Sequence, residues 1–345
     1  MRHLLFGTEL YALPILRPLA AEIAARGEGC RWFLPGVDAA RLAPGEVALP
    51  DAAAARAYAP DTVLSASNWV PPFVSGTKVQ LFHGFSVDKR SEATGHFRIR
   101  GFFDLYCTQG PATTAPFEQL ARALGHFRVA ETGWPKLDPL FGPESPEVAA
   151  LRAPARGRPI VLFGSTFTPR LAAAPVLLDA IAGLVRRGDR YWLLTLHPKT
   201  APAWFERYRA LAGEHAAFVE SDRLLPLLRA ADVLVADTSS IVSEFVVQRR
   251  PVVTFRHRVP RAHMIDVADP AALDDAIARA LAPDAALRAA IDDYAALIHP
   301  SRDGRASARV LDAARAARSN PPPRRKPWNV LRRLQIRREL GYWKF

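Results

Sequence analysis

The chain has 345 residues, of which 49% are hydrophobic and 23% charged, a balance typical of a globular protein with room for two α/β domains. Its formal net charge of +12 is concentrated at one end. Residues 324–345 contain eight basic side chains and one carboxylate, a net charge of +7, which leaves +5 for the rest of the chain. Because the body is only mildly basic, nucleic acid is not expected as a partner.

The cysteine pattern and the apolar runs predict a cytoplasmic protein. Cys30 and Cys107 lack any CxxC or Cys/His spacing, so we expect neither a disulfide nor a zinc site. The first apolar run ends at Gly7 and is followed by prolines and charged residues, which indicates a strand and an amphipathic helix rather than a signal peptide. No run of about 18 apolar residues is present to span a bilayer.

Strand-like and helix-like segments alternate along the first half, which is typical of parallel α/β architecture. Residues 35–60 are rich in alanine and proline and give no clear assignment. Helices are predicted at 15–26 and 114–124. The predicted strands are 3–8, 30–34, 62–66, 78–82, 104–108 and 127–132.

A polar, proline- and glycine-rich stretch then predicts a linker at 141–158. Further strands are predicted at 160–163, 191–196, 217–220, 232–236 and 251–255. The sequence therefore predicts two doubly wound Rossmann-like domains, 1–140 and 159–300, facing across a cleft. A closing helix at 301–319 and a basic tail at 320–345 follow. Since ligands bind outside the carboxyl ends of such strands, the loops that follow strands are the candidate sites.

The loop after the strand at 78–82 carries His83, Gly84 and Ser86. Histidine has an ordinary pKa near 6.5, so at neutral pH it can act as the base for a hydroxyl. Gly84 allows the backbone to approach a ligand closely. The alternative is a histidine that only caps a turn.

Two loops of the second half combine small polar residues with cations. Ser165, Thr166 and Arg170 follow the strand at 160–163 and precede a helix, a pattern that suits an anion but also an ordinary helix cap. His197 and Lys199 follow the strand at 191–196, where they suit a phosphate. The alternative for this loop is a surface turn.

The fourth loop runs from a buried strand through Asp237, Thr238, Ser239 and Ser240 into a helix. Hydroxyls and backbone N–H groups at the start of a helix can hold a pyrophosphate. Glu244, in the first turns of that helix, can accept hydrogen bonds from ribose hydroxyls. The alternatives are a capping role for Asp237 and a solvated carboxylate for Glu244.

Strings that mark other nucleotide or metal enzymes are absent, including Walker A, GxGxxG, HExxH and Asp-x-Asp. We therefore expect neither a metal nor another cofactor.

Taken together and in order, five strings resemble the CDP-glycerol glycerophosphotransferase family of teichoic-acid polymerases and primases. They lie between about Lys78 and Arg309. The strings are residues 78–84 (KVQLFHG), 131–138 (ETGWPKLD), 197–198 (HP), 228–240 (from LRAAD to SS) and 303–307 (DGRAS).

The resemblance implies a GT-B fold and an attack by an acceptor hydroxyl on the glycerol-bearing phosphorus of CDP-glycerol, with release of CMP. It implies that the first domain binds the acceptor and the second the donor. His83 would be the base, and the diphosphate would be held by His197, Arg170, Thr238, Ser239 and Ser240.

The chain departs from the family at Thr238, where an aromatic residue is usual, and at Phe167, where tryptophan is usual. These departures leave the donor open between CDP-glycerol, CDP-ribitol and a nucleotide sugar.

The basic tail has aromatic and aliphatic residues among its arginines. On a helical wheel Val330, Leu331, Leu334, Tyr342 and Phe345 share one side, and most cations lie opposite. This pattern predicts contact with an anionic membrane surface through Arg324–Phe345, near a lipid-linked or glycan acceptor. The alternative is a disordered, solvated tail.

Two other functions remain open at this point. A GT-B glycosyltransferase of capsule or lipopolysaccharide synthesis would use the same fold and release a different nucleotide. A nonenzymatic basic protein would bind nucleic acid through its tail in a salt-sensitive manner.

Overall fold

The computed structural model describes residues 1–85 and 97–344, so Ser86, Asp88 and Phe345 lie outside the described residues. The chain divides into two compact units. Unit 1 comprises Met1–Pro139 and Ile298–Phe345, and unit 2 comprises Leu140–Leu297.

Within the described residues each unit contains a sheet of six parallel strands. The strands in chain order are β1 (Arg2–Phe6), β2 (Gly29–Phe33), β3 (Thr62–Ser65), β4 (Thr77–Leu81), β5 (Leu105–Thr108), β6 (Arg128–Glu131), β7 (Ile160–Ser165), β8 (Tyr191–Leu196), β9 (Ala216–Phe218), β10 (Val233–Ala236), β11 (Val252–Phe255) and β12 (Met264–Val267).

The strand order is β2-β1-β3-β4-β5-β6 in unit 1 and β12-β11-β10-β7-β8-β9 in unit 2. The predicted fold class, two parallel sheets with interleaved helices, is confirmed. The short edge strand β12 is missing from the sequence prediction because Asp266 interrupts its apolar run.

The helices lie between the strands and after the second sheet. In chain order they are α1 (Ala12–Ala25), α2 (Ala52–Ala57), α3 (Pro111–Leu124), α4 (Pro146–Arg152), α5 (Ala174–Arg187), α6 (Pro202–Arg209), α7 (Leu224–Ala230), α8 (Ile241–Val246), α9 (Leu273–Leu281), α10 (Ala285–Ile298), α11 (Ala306–Ser319) and α12 (Val330–Glu339).

Central strands of the second sheet are buried along their whole length. All residues of β7, β8 and β10 are buried, which explains their apolar runs without alternation. α5 covers one face with Leu177, Ile181 and Leu184. Because both faces of these strands are covered, the functional groups of unit 2 are confined to the ends of the sheet.

The segment predicted as a linker at 141–158 belongs to unit 2, and part of it is helical. α4 begins at Pro146, and the hydroxyl of Ser145 accepts a hydrogen bond from the N–H of Val148 (3.3 Å). Val148 and Leu151 are buried. Serine followed by proline marks the start of this helix, a signal that the composition of the segment concealed.

The C-terminal segment, described from 320 to 344, packs on unit 1 instead of forming a separate tail. Ile336 and Tyr342 are buried in the hydrophobic core of unit 1, and the Tyr342 ring stacks on Phe73 with a centroid distance of 4.4 Å. Arg56 donates a hydrogen bond to the Tyr342 hydroxyl (2.9 Å). The helical wheel grouped Tyr342 with the apolar residues predicted to contact a membrane. This prediction is wrong for Tyr342, because its ring is buried in the core of unit 1.

Two of the five family-like strings meet in unit 1. The Asp138 carboxylate accepts hydrogen bonds from the N–H groups of Ala306 and Ser307, both 2.8 Å long, at the start of α11. Gly133 has a φ of +77°, and a β-carbon there would lie 2.9 Å from Nε2 of His299. The strings at 131–138 and 303–307 thus join α11 to the sheet of unit 1.

We expect Asp138→Ala to lower the free energy of unfolding by about 1–2 kcal/mol, because it removes the cap of α11. Urea denaturation followed by circular dichroism measures the loss. Asp138→Asn keeps one acceptor oxygen and should lose less. Equal stability of the alanine variant and the unmodified protein would contradict this role.

Candidate active site

His83 follows Phe82, the residue after β4, at the carboxyl end of the unit 1 sheet. The backbone on both sides of it is held by neighbouring loops. Gln109 donates a hydrogen bond to the Gly84 carbonyl (3.1 Å), and the Trp134 indole donates one to the Phe82 carbonyl (2.7 Å). The loops after β5 and β6 therefore fix the position from which the His83 side chain extends.

The ring of Tyr11 packs against the His83 ring with a centroid distance of 5.3 Å. Tyr11 precedes α1, in the loop that follows β1, and is 40% exposed. Burial raises the pKa of its hydroxyl, and the Glu9 carboxylate adds to the effect. Tyr11 was not predicted as a site residue, although its position in a loop after a strand was the available signal.

Three predicted loops of unit 2 converge because their strands are neighbours. In the sheet β10 pairs with β7, and β7 pairs with β8. The register places Ala236 beside Gly164, and Ser165 beside Leu196. The loops that carry Thr238, Thr166 and His197 therefore begin side by side at one sheet edge.

Asp237 holds two of these loops together. Its buried carboxylate accepts hydrogen bonds from the Ser165 hydroxyl (2.7 Å), from the Thr166 N–H (2.9 Å) and from the Ala173 N–H (3.0 Å). Burial raises the pKa of Asp237, while these hydrogen bonds oppose the rise. The Ser165 hydroxyl also accepts from the Ala174 N–H (3.1 Å), so it contacts protein atoms, and its predicted ligand contact stays a prediction.

His197 is oriented by its own loop. Its Nδ1 accepts a hydrogen bond from the Lys199 backbone N–H (3.1 Å), which places the proton of the neutral imidazole on Nε2. Burial, with a smaller effect from the Lys199 ammonium, lowers the pKa of His197. Its ring packs against Phe167 at 4.4 Å. The loop therefore presents a neutral N–H donor next to an ammonium group.

The hydroxyl-bearing loop after β10 leads directly into α8. Thr238 Oγ1 accepts a hydrogen bond from the Arg258 N–H (3.0 Å), and the Ser239 N–H donates to the Asp237 carbonyl (2.8 Å). Ser240 is exposed at the N-cap of α8, and within the described part of the chain its side chain makes no capping hydrogen bond. These hydroxyls can still donate hydrogen bonds to a phosphate.

The remaining two predicted residues differ in burial. Arg170 is exposed in the turn after β7. Glu244 is only 5% exposed within α8, so the alternative of a solvated carboxylate is wrong. Its predicted contact with ribose stays a prediction.

A cationic loop that the sequence analysis missed follows β11. It contains Arg256, His257 and Arg258, and its hydrogen bond to Thr238 ties it to the loop after β10. The available signal was three basic residues directly after an apolar strand.

Comparison with known proteins is consistent with this architecture. The family model described as CDP-Glycerol:Poly(glycerophosphate) glycerophosphotransferase matches residues 77–314, more than half of the chain. No curated protein matches the sequence significantly.

Solved structures resemble most of the chain. The wall teichoic acid polymerase TagF superposes with a TM-score of 0.67 at 13% identity, covering 92% of this chain and 89% of that chain. A putative UDP-N-acetylglucosamine 2-epimerase from Listeria monocytogenes gives 0.63 at 13% identity, covering 94% and 99%. The UDP-GlcNAc 2-epimerase from Neisseria meningitidis gives 0.62 at 11% identity, covering 92% and 100%. At these identities the likeness shows the fold.

Two parallel α/β sheets with polar loops at their carboxyl ends place the chain in the GT-B class of folds. Within that class the chain belongs to the CDP-glycerol:poly(glycerophosphate) glycerophosphotransferase family, as its motifs predicted. It is an enzyme of the glycerophosphotransferase type.

Proposed function

We propose that this enzyme transfers glycerol phosphate, or a related alditol phosphate, from a CDP-linked donor to an acceptor hydroxyl, with release of CMP. One observation carries the proposal. The loops after β8 and β10, whose strands flank β7 in the sheet, combine the Nε2–H of a neutral His197, the Lys199 ammonium and the hydroxyls of Thr238, Ser239 and Ser240 at one sheet edge. A diphosphate needs this combination of hydrogen-bond donors and positive charge.

In the proposed reaction unit 2 binds the donor and unit 1 binds the acceptor. The acceptor oxygen attacks the phosphorus that bears the alditol, and its proton passes to His83. The bond from that phosphorus to the bridging oxygen breaks, and CMP leaves with this oxygen. His197 and Lys199 stabilise the negative charge that develops on the leaving phosphate.

Tyr11 supports the assignment of His83 as the base. A ring packed against the imidazole restricts its rotation, and a base is effective only when it lies within hydrogen-bond reach of the hydroxyl. We assign Tyr11 a positioning role, since its contact is with His83.

A nucleotide-release screen tests the proposed function. Purified enzyme and membranes that supply acceptors are incubated with CDP-glycerol, CDP-ribitol and common nucleotide sugars, and the nucleotides are separated by chromatography. We expect CMP from a CDP-alditol. Release of UDP or GDP from a nucleotide sugar instead would contradict the proposal and favour a glycosyltransferase.

We further propose that the acceptor is membrane-associated and that the enzyme works on the inner face of the cytoplasmic membrane. Among the described residues no helix is both long and apolar enough to cross a bilayer. The C-terminal segment nevertheless exposes large apolar side chains among its arginines. Trp328 is 80% exposed, Leu331 83% and Val330 55%. Apolar side chains next to cations suit the surface of an anionic membrane.

The double variant Trp328→Ser, Leu331→Ser should bind anionic vesicles about tenfold more weakly or worse, because it removes apolar area from the contact. Vesicle sedimentation at low and high salt measures the change. Leu297→Ser removes another exposed leucine outside this segment and serves as the control. Unchanged sedimentation of the double variant would place the membrane contact elsewhere. Point substitutions are preferable to truncation, because Ile336 and Tyr342 belong to the core of unit 1.

A further inference from the structure

The loop after β11 begins at the same sheet edge as the proposed donor loops. In the sheet β11 is the neighbour of β10 on the side away from β7 and β8. β8 and β11 therefore lie on opposite sides of β7 and β10, the two strands whose loops carry the hydroxyls. β8 and β11 are three strand spacings apart, which amounts to about 14 Å. A cation from each of these outer loops can approach the hydroxyls from either side.

The backbone of this loop is fixed at several points. Arg256 has a φ of +49°, a left-handed conformation uncommon for a residue with a β-carbon, and it turns the chain directly after the strand. The His257 N–H donates to the Asp266 carboxylate (2.9 Å), and the Arg258 N–H donates to Thr238 Oγ1 (3.0 Å). The backbone of Arg258 is therefore held next to Thr238.

The two arginines of this loop differ in what their side chains do. The Arg256 guanidinium donates a hydrogen bond to the Ala268 carbonyl (3.0 Å) and lies over the Phe255 ring at 4.8 Å, so it stabilises the loop. Arg258 is exposed, and among the described residues no carboxylate forms an ion pair with it. An exposed guanidinium next to a hydroxyl-bearing loop is available for a ligand.

On the β7 and β8 side of this edge, the exposed residues Arg170 and Lys199 each supply a positive charge. The loop after β10 adds only hydroxyls, since the Asp237 carboxylate in it is buried and bonded to protein N–H groups. A donor diphosphate carries about two negative charges, and a guanidinium can contact a phosphate through two parallel hydrogen bonds.

We propose that Arg258 is a donor-binding residue that contacts the diphosphate from the β11 side, opposite Lys199. The inference rests on the proposed function, because it takes the edge formed by β10, β7 and β8 as the diphosphate site. The proposal adds the loop after β11 as a fourth loop of that site. This loop then contacts the diphosphate, rather than the cytidine or the alditol.

Calorimetric titration with CDP-glycerol and with inorganic pyrophosphate tests this assignment. Arg258→Gln should weaken the binding of both ligands by about tenfold or more, as the loss of a hydrogen bond to a charged group does. Its affinity should also depend less on salt concentration than that of the unmodified enzyme. Arg279→Gln, at an exposed position in α9, makes the same change of charge away from the edge and should leave both affinities unchanged.

The two ligands separate this inference from the proposed function. Normal affinity of Arg258→Gln for pyrophosphate, in a protein with an unchanged melting temperature, would overturn the assignment of Arg258. If the unmodified enzyme binds pyrophosphate but not CDP-glycerol, the donor in the proposed function is wrong, and the pyrophosphate comparison still decides the role of Arg258. Arg258→Lys should recover part of the affinity, because it restores the charge without the planar pair of donors.

Discussion

His83→Ala should lower turnover by about 10²–10⁴-fold with little effect on donor affinity, as the loss of a general base does. The reason lies in the placement of His83. It follows β4 of unit 1, whereas the groups proposed to hold the diphosphate lie on unit 2. Steady-state turnover and calorimetric donor affinity, measured on the same preparation, separate the two effects.

His197→Ala is the matched comparison, because it also replaces a histidine that follows a strand. It should weaken donor binding as well as turnover, since its Nε2–H is proposed to contact phosphate. If His83→Ala retains near-normal turnover, the base is another residue. Asp88, which lies outside the described residues, is then the next candidate.

The double variant Ser239→Ala, Ser240→Ala should bind CDP-glycerol more weakly by roughly 1.5–3 kcal/mol, the cost of losing a hydrogen bond to a charged group. Both hydroxyls lie at the start of α8, and that of Ser240 is exposed. Isothermal titration calorimetry measures the change.

Ser319→Ala removes a hydroxyl at the exposed end of α11 and is the control for the chemical change itself. If the folded double variant keeps the affinity of the unmodified enzyme, the loop after β10 does not bind the diphosphate. The donor site would then have to be sought at other loops of the unit 2 edge.

The central strands were predictable because burial on both faces leaves a direct trace in the sequence. Continuous apolar runs such as those of β7 and β10 are typical of strands whose two faces are both covered. The loops that follow them were predictable for the same reason, since a parallel sheet brings the carboxyl ends of its strands to one edge.

Contacts between residues distant in sequence were not predictable from local patterns. Asp237 bonds to Ser165 across 72 positions, and the first sheet brings together the rings of Tyr11 and His83, which are also far apart in sequence. Likewise, the apolar residues of the C-terminal segment looked alike on a helical wheel. Packing on unit 1 buries Tyr342 and leaves Leu331 exposed.

Asp138 shows how a family motif can have a structural role. The string at 131–138, which contains Asp138, resembles the family as clearly as the string at 78–84, which contains His83. In the fold, however, the Asp138 carboxylate caps α11, whereas His83 lies at the carboxyl end of a sheet. Only the position in the fold separates a motif that holds the chain together from one proposed to act on substrate.

In the proposed reaction the phosphate next to the alditol moves with it to the acceptor. The most direct measurement uses CDP-glycerol labelled at this phosphorus, incubated with enzyme and acceptor, followed by separation of product and nucleotide. We expect the label to appear in the acceptor product and the released CMP to be unlabelled. Label recovered in released CDP, with glycerol alone transferred, would contradict it.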